Sequence, residues 1–73
     1  MTPYQVAEFI QTAFRFDDDY NVIGIDLNTR FQTILGDDYS SSYRDHAEIL
    51  NDLNGYYAMI KAKAEDRYGK LPF

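Results

Sequence analysis

The chain contains no cysteine and no tryptophan, a single histidine, and four glycines that are never adjacent. Without cysteine, neither a disulfide nor a cysteine-based zinc site can form. His46 is the only imidazole base available to a nucleophilic serine, and isolated glycines do not form a phosphate-binding loop. We therefore expect a protein that is not an enzyme and that has no cofactor.

The acidic stretch near residue 17 partly resembles the start of a calcium-binding EF-hand loop. Asp17, Asp19 and Asn21 match its first three alternating ligands. The pattern then fails, because Val22 stands where the loop needs glycine and Asn28 where it needs a bidentate glutamate. We therefore expect no bound metal.

Long apolar runs and a basic face are also missing. No run approaches the roughly 18 residues needed to cross a bilayer, and the N-terminus lacks the order of a signal peptide. We therefore expect a cytoplasmic protein, in the host cytoplasm if the chain is phage-encoded.

The net charge of −5 lies entirely within residues 1–40, which carry seven acids and two arginines. This excess of acids argues against direct binding to nucleic acid or to an anionic membrane.

The first helix is indicated by its cap and by its apolar spacing. Thr2, Pro3 and Gln5 form a capping box with proline at the first helical position. The apolar residues that follow have the spacing of one buried helix face, and they are Val6, Phe9, Ile10, Ala13 and Phe14. The pattern predicts a helix over residues 3–15, which the three aspartates at 17–19 should stop.

Residues 20–25 are ambiguous between strand, turn and helix. Their β-branched side chains suggest a strand, but no second strand-like run is evident to pair with it. An apolar turn or a helical lead-in is therefore favoured. From Asp26, a candidate N-cap, to a C-terminal stop at Gly36, the apolar spacing predicts a second helix over residues 26–35.

The longest predicted element organises the second half of the chain. Ser42 is a candidate N-cap, and Gly69 and Pro72 can end the helix, so the pattern predicts a helix over residues 43–68 of roughly 40 Å. A break near Gly55 remains an alternative. The tail contains Leu71, which could fold back on the helices.

Together these elements predict an all-α domain of three helices, with the first two packed along the third. The whole chain, residues 1–73, is expected to form one small domain, since its length allows only one core. The predicted core draws on one face of each helix, and its members are Val6, Phe9, Ile10, Phe14, Leu27, Phe31, Ile34, Leu50, Leu53, Tyr57 and Ile60.

Function is suggested by surplus tyrosine and by the acidic segments. Seven tyrosines exceed what so small a core can bury, and surface tyrosine is common at protein contacts. We therefore predict a protein that binds a macromolecular partner, most simply another protein. The predicted contact residues lie in the acidic loops and beside them, and they are Asp17, Asp18, Asp19, Tyr20, Asp37, Asp38, Tyr39 and Tyr56.

Two alternatives remain open. The acids could imitate nucleic acid toward a basic nucleic-acid-binding protein, and in this the chain is similar to the broad type of small acidic inhibitors of phages and mobile elements. Alternatively, the charge gradient along the long helix, acidic at Asp45 and basic at Lys61, could pair two copies in an antiparallel homodimer.

Overall fold

The computed structural model describes residues 1–39 and 43–73. Within these ranges the chain is mixed α/β, so the all-α prediction is wrong. Helices and a two-stranded antiparallel sheet follow one another in the order α1 Pro3–Ala13, β1 Phe14–Phe16, β2 Val22–Ile25, α2 Gln32–Leu35 with a 3-10 turn at Gly36–Asp38, α3 His46–Asn51 and α4 Leu53–Tyr68.

Helix α1 begins as predicted and ends two residues early. The Thr2 hydroxyl accepts from the Gln5 backbone N–H at 3.2 Å, and the Gln5 side chain accepts from the Thr2 N–H at 2.8 Å. The Phe14 N–H still donates to the Ile10 carbonyl, but the ψ of Phe14 is 154°, which is extended. Helix formation stops here because Phe14 pairs with Ile25 in the sheet.

The hairpin corrects the prediction that residues 20–25 have no strand to pair with. Arg15 pairs with Gly24 and Phe16 with Val22, so Ile23 is an extra residue in a β-bulge. A bulge changes which side chains share a face. Val22 and Ile25, three residues apart, therefore both lie on the face of Phe14 and Phe16, while Ile23 points to solvent.

The predicted second helix is reduced to one turn, α2. Asp26 does not cap it, because the Asp26 carboxylate instead accepts from the Asn28 N–H at 3.0 Å, and its own N–H donates to the Ala13 carbonyl at 2.8 Å. Asp26 thereby ends the hairpin and starts a tight turn. The predicted stop at Gly36 is confirmed, with a φ of 57° that suits glycine.

The predicted long helix is two helices. Helix α3 begins at His46 with Asp45 as its N-cap, and the predicted cap Ser42 lies outside the described residues. The chain bends at Asp52, whose carboxylate accepts from the Gly55 N–H at 3.1 Å and from the Tyr43 hydroxyl at 2.8 Å. A Cβ on Gly55 would collide with that carboxylate, so glycine makes room for the cap that breaks the helix.

One apolar core joins all these elements. The predicted core members Val6, Ile10, Phe14, Phe31, Ile34 and Ile60 are buried, and Phe9, Leu53 and Tyr57 pack against them with partial exposure. The prediction for Leu50 is wrong, since this residue is 52% exposed. Leu27 is only partly buried. Both errors arise because the helices that should have carried these residues inward are not continuous.

The rest of the core comes from residues outside the predicted set. They are buried side chains from every part of the described chain, namely Ala7, Ala13, Val22, Leu35, Tyr56, Ala64 and Leu71. The burial of Leu71 confirms that the tail folds back. Aromatic rings dominate the centre, where Tyr56 meets Phe14, Phe31 and Tyr43 at centroid distances of 5.3–6.3 Å.

Ile60→Ala should destabilise the fold by about 2–5 kcal/mol, because it empties a fully buried site. Leu50→Ala, the same kind of truncation at an exposed helical site, should cost less than about 1 kcal/mol. Urea unfolding followed by circular dichroism measures both. If Ile60→Ala does not fold, Ile60→Val should still cost about 0.5–1.5 kcal/mol. Equal losses at residues 50 and 60 would contradict the assignment of the core.

Candidate partner-binding surface

The turn between the two strands is organised by one carboxylate. Asp17 Oδ1 accepts from the backbone N–H groups of Asp19 and Asn21, both at 2.9 Å, and Oδ2 accepts from the Asn21 side-chain amide at 3.2 Å. The Asp17 N–H donates to the Asn21 carbonyl at 3.0 Å, which closes the turn. These bonds, the Asn21 backbone bond foremost, hold the pKa of the Asp17 carboxyl below its ordinary value of 3.8.

The three aspartates of this turn therefore have different roles. Asp17 faces the backbone of its own turn, whereas Asp18 and Asp19 are exposed. Among the described residues, no three acidic or histidine side chains come together as a metal site would require. The turn is thus a hydrogen-bonded loop with two exposed carboxylates.

Tyr20 stands at the tip of this turn in an unusual conformation. Its φ is 63°, the single positive value outside glycine in residues 1–39 and 43–73, and the residue is 85% exposed. A left-handed backbone costs a tyrosine about 1–2 kcal/mol that a glycine would not pay. The Tyr20 N–H donates to the Asp17 carbonyl at 3.0 Å, so the turn imposes this conformation on it.

Tyr20 lines an open cavity of about 770 Å³, which we call the aromatic groove. The lining residues come from four separate parts of the chain, and they are Gln11, Phe16, Asp17, Tyr20, Tyr57, Lys61 and Phe73. The Tyr57 ring is held edge-on to Phe16 and to Phe14 at 5.6 and 5.1 Å between centroids. Burial, and then the nearby Glu65 charge, raise the pKa of Tyr57, which therefore keeps its proton.

The C-terminal tail supplies one wall of the groove. Gly69, with a φ of 91°, turns the chain back at the end of α4. Leu71 is then buried, and its N–H donates to the Glu65 carboxylate at 3.1 Å. This anchor places the half-exposed Phe73 ring under Lys61, with the ammonium nitrogen 5.3 Å from the ring centroid.

Three other predicted contact residues lie away from the groove. Asp38 pairs with Arg67 at 3.0 Å, and its carbonyl accepts from Lys63 at 3.3 Å. Lys61 lines the groove, and Lys63 points about 200° away from it around α4. Because Asp38 contacts Lys63, Asp38 lies on another side of that helix. Asp37 adjoins it in the 3-10 turn, and Tyr39 directs its hydroxyl inward to Tyr56.

Tyr56 does not fit its predicted contact role, because only 2% of its side chain is exposed. Its hydroxyl lies 3.0 Å from that of Tyr39. Burial foremost, and the bond to Tyr39, raise the pKa of Tyr56 well above the usual 10. Tyr56 is a core residue with one satisfied polar atom, and it is not available to a partner.

Of the predicted contact residues, Asp17 and Tyr20 line the groove, and Asp18 and Asp19 are exposed between them in the same turn. Sequence reasoning missed Phe16, Tyr57, Lys61 and Phe73. The surplus of aromatic residues hinted that some rings would be exposed, but nothing local to residues 57 or 73 indicated that they meet residue 16.

A second cavity, of about 390 Å³, lies between the turn after β2 and the start of α3. His46 lines it. Two arginines, Arg30 and Arg44, and two aspartates, Asp26 and Asp45, also line it. Its charges cancel, and Arg44 is already paired with Glu48 at 3.2 Å. This cavity therefore has no strong preference for a charged ligand.

Comparisons with protein-family models, curated proteins and solved structures found no match for this chain. No helix in residues 1–39 and 43–73 is both long and apolar enough to cross a membrane.

Asp17→Ala should loosen the turn that holds Tyr20, because three hydrogen bonds to the carboxylate are lost. Amide exchange of Asp19 and Asn21 should become faster, as measured by NMR, while Asp18→Ala leaves it unchanged. Since the pKa of Asp17 is lowered in the fold, its contribution to stability is present above pH 3.8 and is lost as the pH falls through its folded pKa. Unchanged exchange in Asp17→Ala would show that the turn does not need this carboxylate.

Proposed function

We propose that the protein is a non-enzymatic, cytoplasmic binding protein that contacts a macromolecular partner, most simply another protein, through the aromatic groove and the hairpin turn. The observation that carries this proposal is Tyr20, an exposed tyrosine on a left-handed backbone beside an open, aromatic-lined groove. Such strain persists where the surroundings impose it, and it concentrates at functional sites.

The chemistry of the surface supports contact with a protein. Tyrosine offers a large apolar area and a hydroxyl with little side-chain entropy to lose, which is why it is enriched at interfaces. Phe16, Tyr57 and Phe73 add partly exposed rings beside it. These rings share the groove with the polar residues Gln11, Asp17 and Lys61, and interfaces likewise combine apolar and polar contacts.

The two alternatives have less support. Charge mimicry needs many free carboxylates on one face, but Asp17 is committed to its turn, and Asp38 is paired with Arg67 on another side of α4. The homodimer requires the acidic-to-basic charge gradient to run along one continuous helix of about 40 Å, whereas α3 and α4 are separate. Asp45 and Asp52 cap these two helices, which accounts for their positions without a second copy.

Tyr20→Gly should leave the free energy of unfolding unchanged or raise it by up to about 1 kcal/mol, because relief of the strained backbone offsets the greater freedom of glycine in the unfolded chain. The same variant should lose partner binding, since the exposed ring is gone. Thermal unfolding measures the first effect. A clear loss of stability would mean that Tyr20 serves the fold and not a partner.

Partner binding is tested by photo-crosslinking in a lysate of the cells in which the protein occurs. A benzoyl-phenylalanine placed at Tyr20 should give a defined protein adduct that excess unlabelled wild type suppresses and excess Tyr20→Gly does not. The control position is Tyr4, which is 74% exposed on α1 and does not line the groove. Identical adducts from positions 4 and 20 would contradict the proposal. Disappearance of the adduct at high salt would favour charge mimicry instead.

A further inference from the structure

Asn54 and Gly55, in the first turn of α4, form a chemically labile pair. Asparagine deamidates when the backbone nitrogen of the next residue attacks its side-chain carbonyl carbon, and a side chain on that next residue obstructs the attack. Asn54 is followed by glycine, whereas the other three asparagines, at positions 21, 28 and 51, precede valine, threonine and aspartate. Asn54 is also exposed, so water reaches the reacting group.

The fold itself requires glycine at position 55. A Cβ there would come closer to the Asp52 carboxylate and to the Tyr43 hydroxyl than real contacts allow. The carboxylate occupies this space because it caps α4, accepting from the Gly55 N–H at 3.1 Å and from the Tyr43 hydroxyl at 2.8 Å. The need for this cap therefore keeps a labile pair in the chain.

The same cap protects the pair from reaction. The Gly55 nitrogen is the nucleophile, and it must lose its proton and turn toward Asn54 Cγ before it reacts. Asp52 holds that N–H, and the negative charge of the carboxylate opposes loss of the proton. The Tyr56 N–H donates to the Asp52 carbonyl at 2.9 Å, which holds the next peptide in the helix as well. Reaction at Asn54 therefore requires the first turn of α4 to open.

We propose that Asn54 is the site at which this chain deamidates, that the Asp52 cap sets the rate, and that the reaction weakens the junction between α3 and α4. The Gly55 nitrogen forms a bond to Asn54 Cγ and gives its proton to a base in solution. The bond from Cγ to the side-chain nitrogen breaks, and that nitrogen takes up a proton and leaves as ammonia. Water then opens the resulting succinimide at either carbonyl, which gives aspartate or isoaspartate.

The isoaspartate product alters the backbone itself. Its bond to Gly55 runs through the former side chain, which inserts a methylene into the main chain in the first turn of α4. The N–H groups of Gly55 and Tyr56 then no longer both reach Asp52. Tyr56 is buried and packs edge-on against Tyr43 at 5.3 Å between centroids. The displacement therefore reaches the aromatic core.

The site is tested by peptide mapping and mass spectrometry of the full chain during incubation at mildly alkaline pH. Asn54 should be modified before the other asparagines, and at least about tenfold more slowly in the folded protein than in the chain unfolded by guanidinium chloride. Faster reaction at position 21, 28 or 51 would overturn the proposal. Equal rates at Asn54 in the folded and unfolded chains would also overturn it.

Variants test the role of the cap. Asp52→Ala should raise the rate at Asn54 about fivefold, whereas Asp52→Ser, whose hydroxyl caps the same N–H, should stay within about twofold of the wild type. Asp45→Ala removes the cap of α3 instead and should change the rate by less than about twofold. If Asp52→Ala does not fold, Tyr43→Phe, which removes one bond to the Asp52 carboxylate, should raise the rate about threefold.

Two results with these variants would overturn the proposal. A slower reaction in Asp52→Ala would mean that the carboxylate assists the reaction as a base. Equal rates in Asp45→Ala and Asp52→Ala would mean that general stability, and not the cap at Asp52, controls Asn54.

The effect on the junction is tested on the isoaspartate form, purified by ion exchange because deamidation adds a negative charge. This form should unfold at a lower temperature than the wild type, as followed by circular dichroism. Asn54→Asp keeps the normal backbone and places an acid near the positive end of the helix dipole, so it should unfold no earlier than the wild type. An isoaspartate form that unfolds together with the wild type would overturn the proposed effect on the junction.

Discussion

The packing of the Phe14 ring against three other aromatic rings is the interaction on which the rest of the structure depends. It lies within 5.1–6.3 Å, between centroids, of the rings of Phe31, Tyr56 and Tyr57. Its backbone N–H makes the last hydrogen bond of α1, while its own φ and ψ are those of the first strand residue. One side chain therefore joins α1, the hairpin, α4 and the segment that carries Phe31. The direction in which the hairpin leaves α1 determines the position of the turn and of Tyr20.

Much of the negative charge serves local structure. Asp17, Asp26, Asp45 and Asp52 each accept a hydrogen bond from a backbone N–H two to four residues later in the chain. In a domain without disulfides, with helices as short as four residues, these bonds define where elements begin. Four of the twelve acidic side chains of the chain thus help to set where its elements begin or end.

The sequence predicted those parts of the fold that depend on neighbouring residues. The capping box at Thr2, the stop at Gly36 and the buried face of α1 are local, and all three are confirmed. The hairpin could not be recognised, because Phe14–Phe16 continues the apolar spacing of a helix and the bulge at Ile23 disrupts the alternation of β2. The break at Asp52 lies three residues before Gly55, where the sequence left a break as an open alternative. The contact of Asp52 with Tyr43, nine residues earlier, is not revealed by helical spacing.

The candidate site also combines residues that are neighbours in the sequence with residues that are distant in it. Asp17, Asp18, Asp19 and Tyr20 are adjacent in sequence, so a composition signal was enough to select them. Tyr57 and Phe73 reach the same place only through packing over long sequence separations. Tyr56 and Tyr57 show what sequence patterns cannot resolve. These adjacent tyrosines of α4 point about 100° apart around the helix, so Tyr56 is buried and Tyr57 is partly exposed.

The groove has a thermodynamic consequence because its walls come from residues as distant as Gln11 and Phe73. The groove is absent from an unfolded chain, because only the fold brings its walls together and the buried Leu71 holds the tail that carries Phe73. Any molecule that occupies the groove therefore binds the native state alone and shifts the folding equilibrium toward it. For a domain of this size, whose own stability is small, occupancy of the groove and the folded population in the cell rise and fall together.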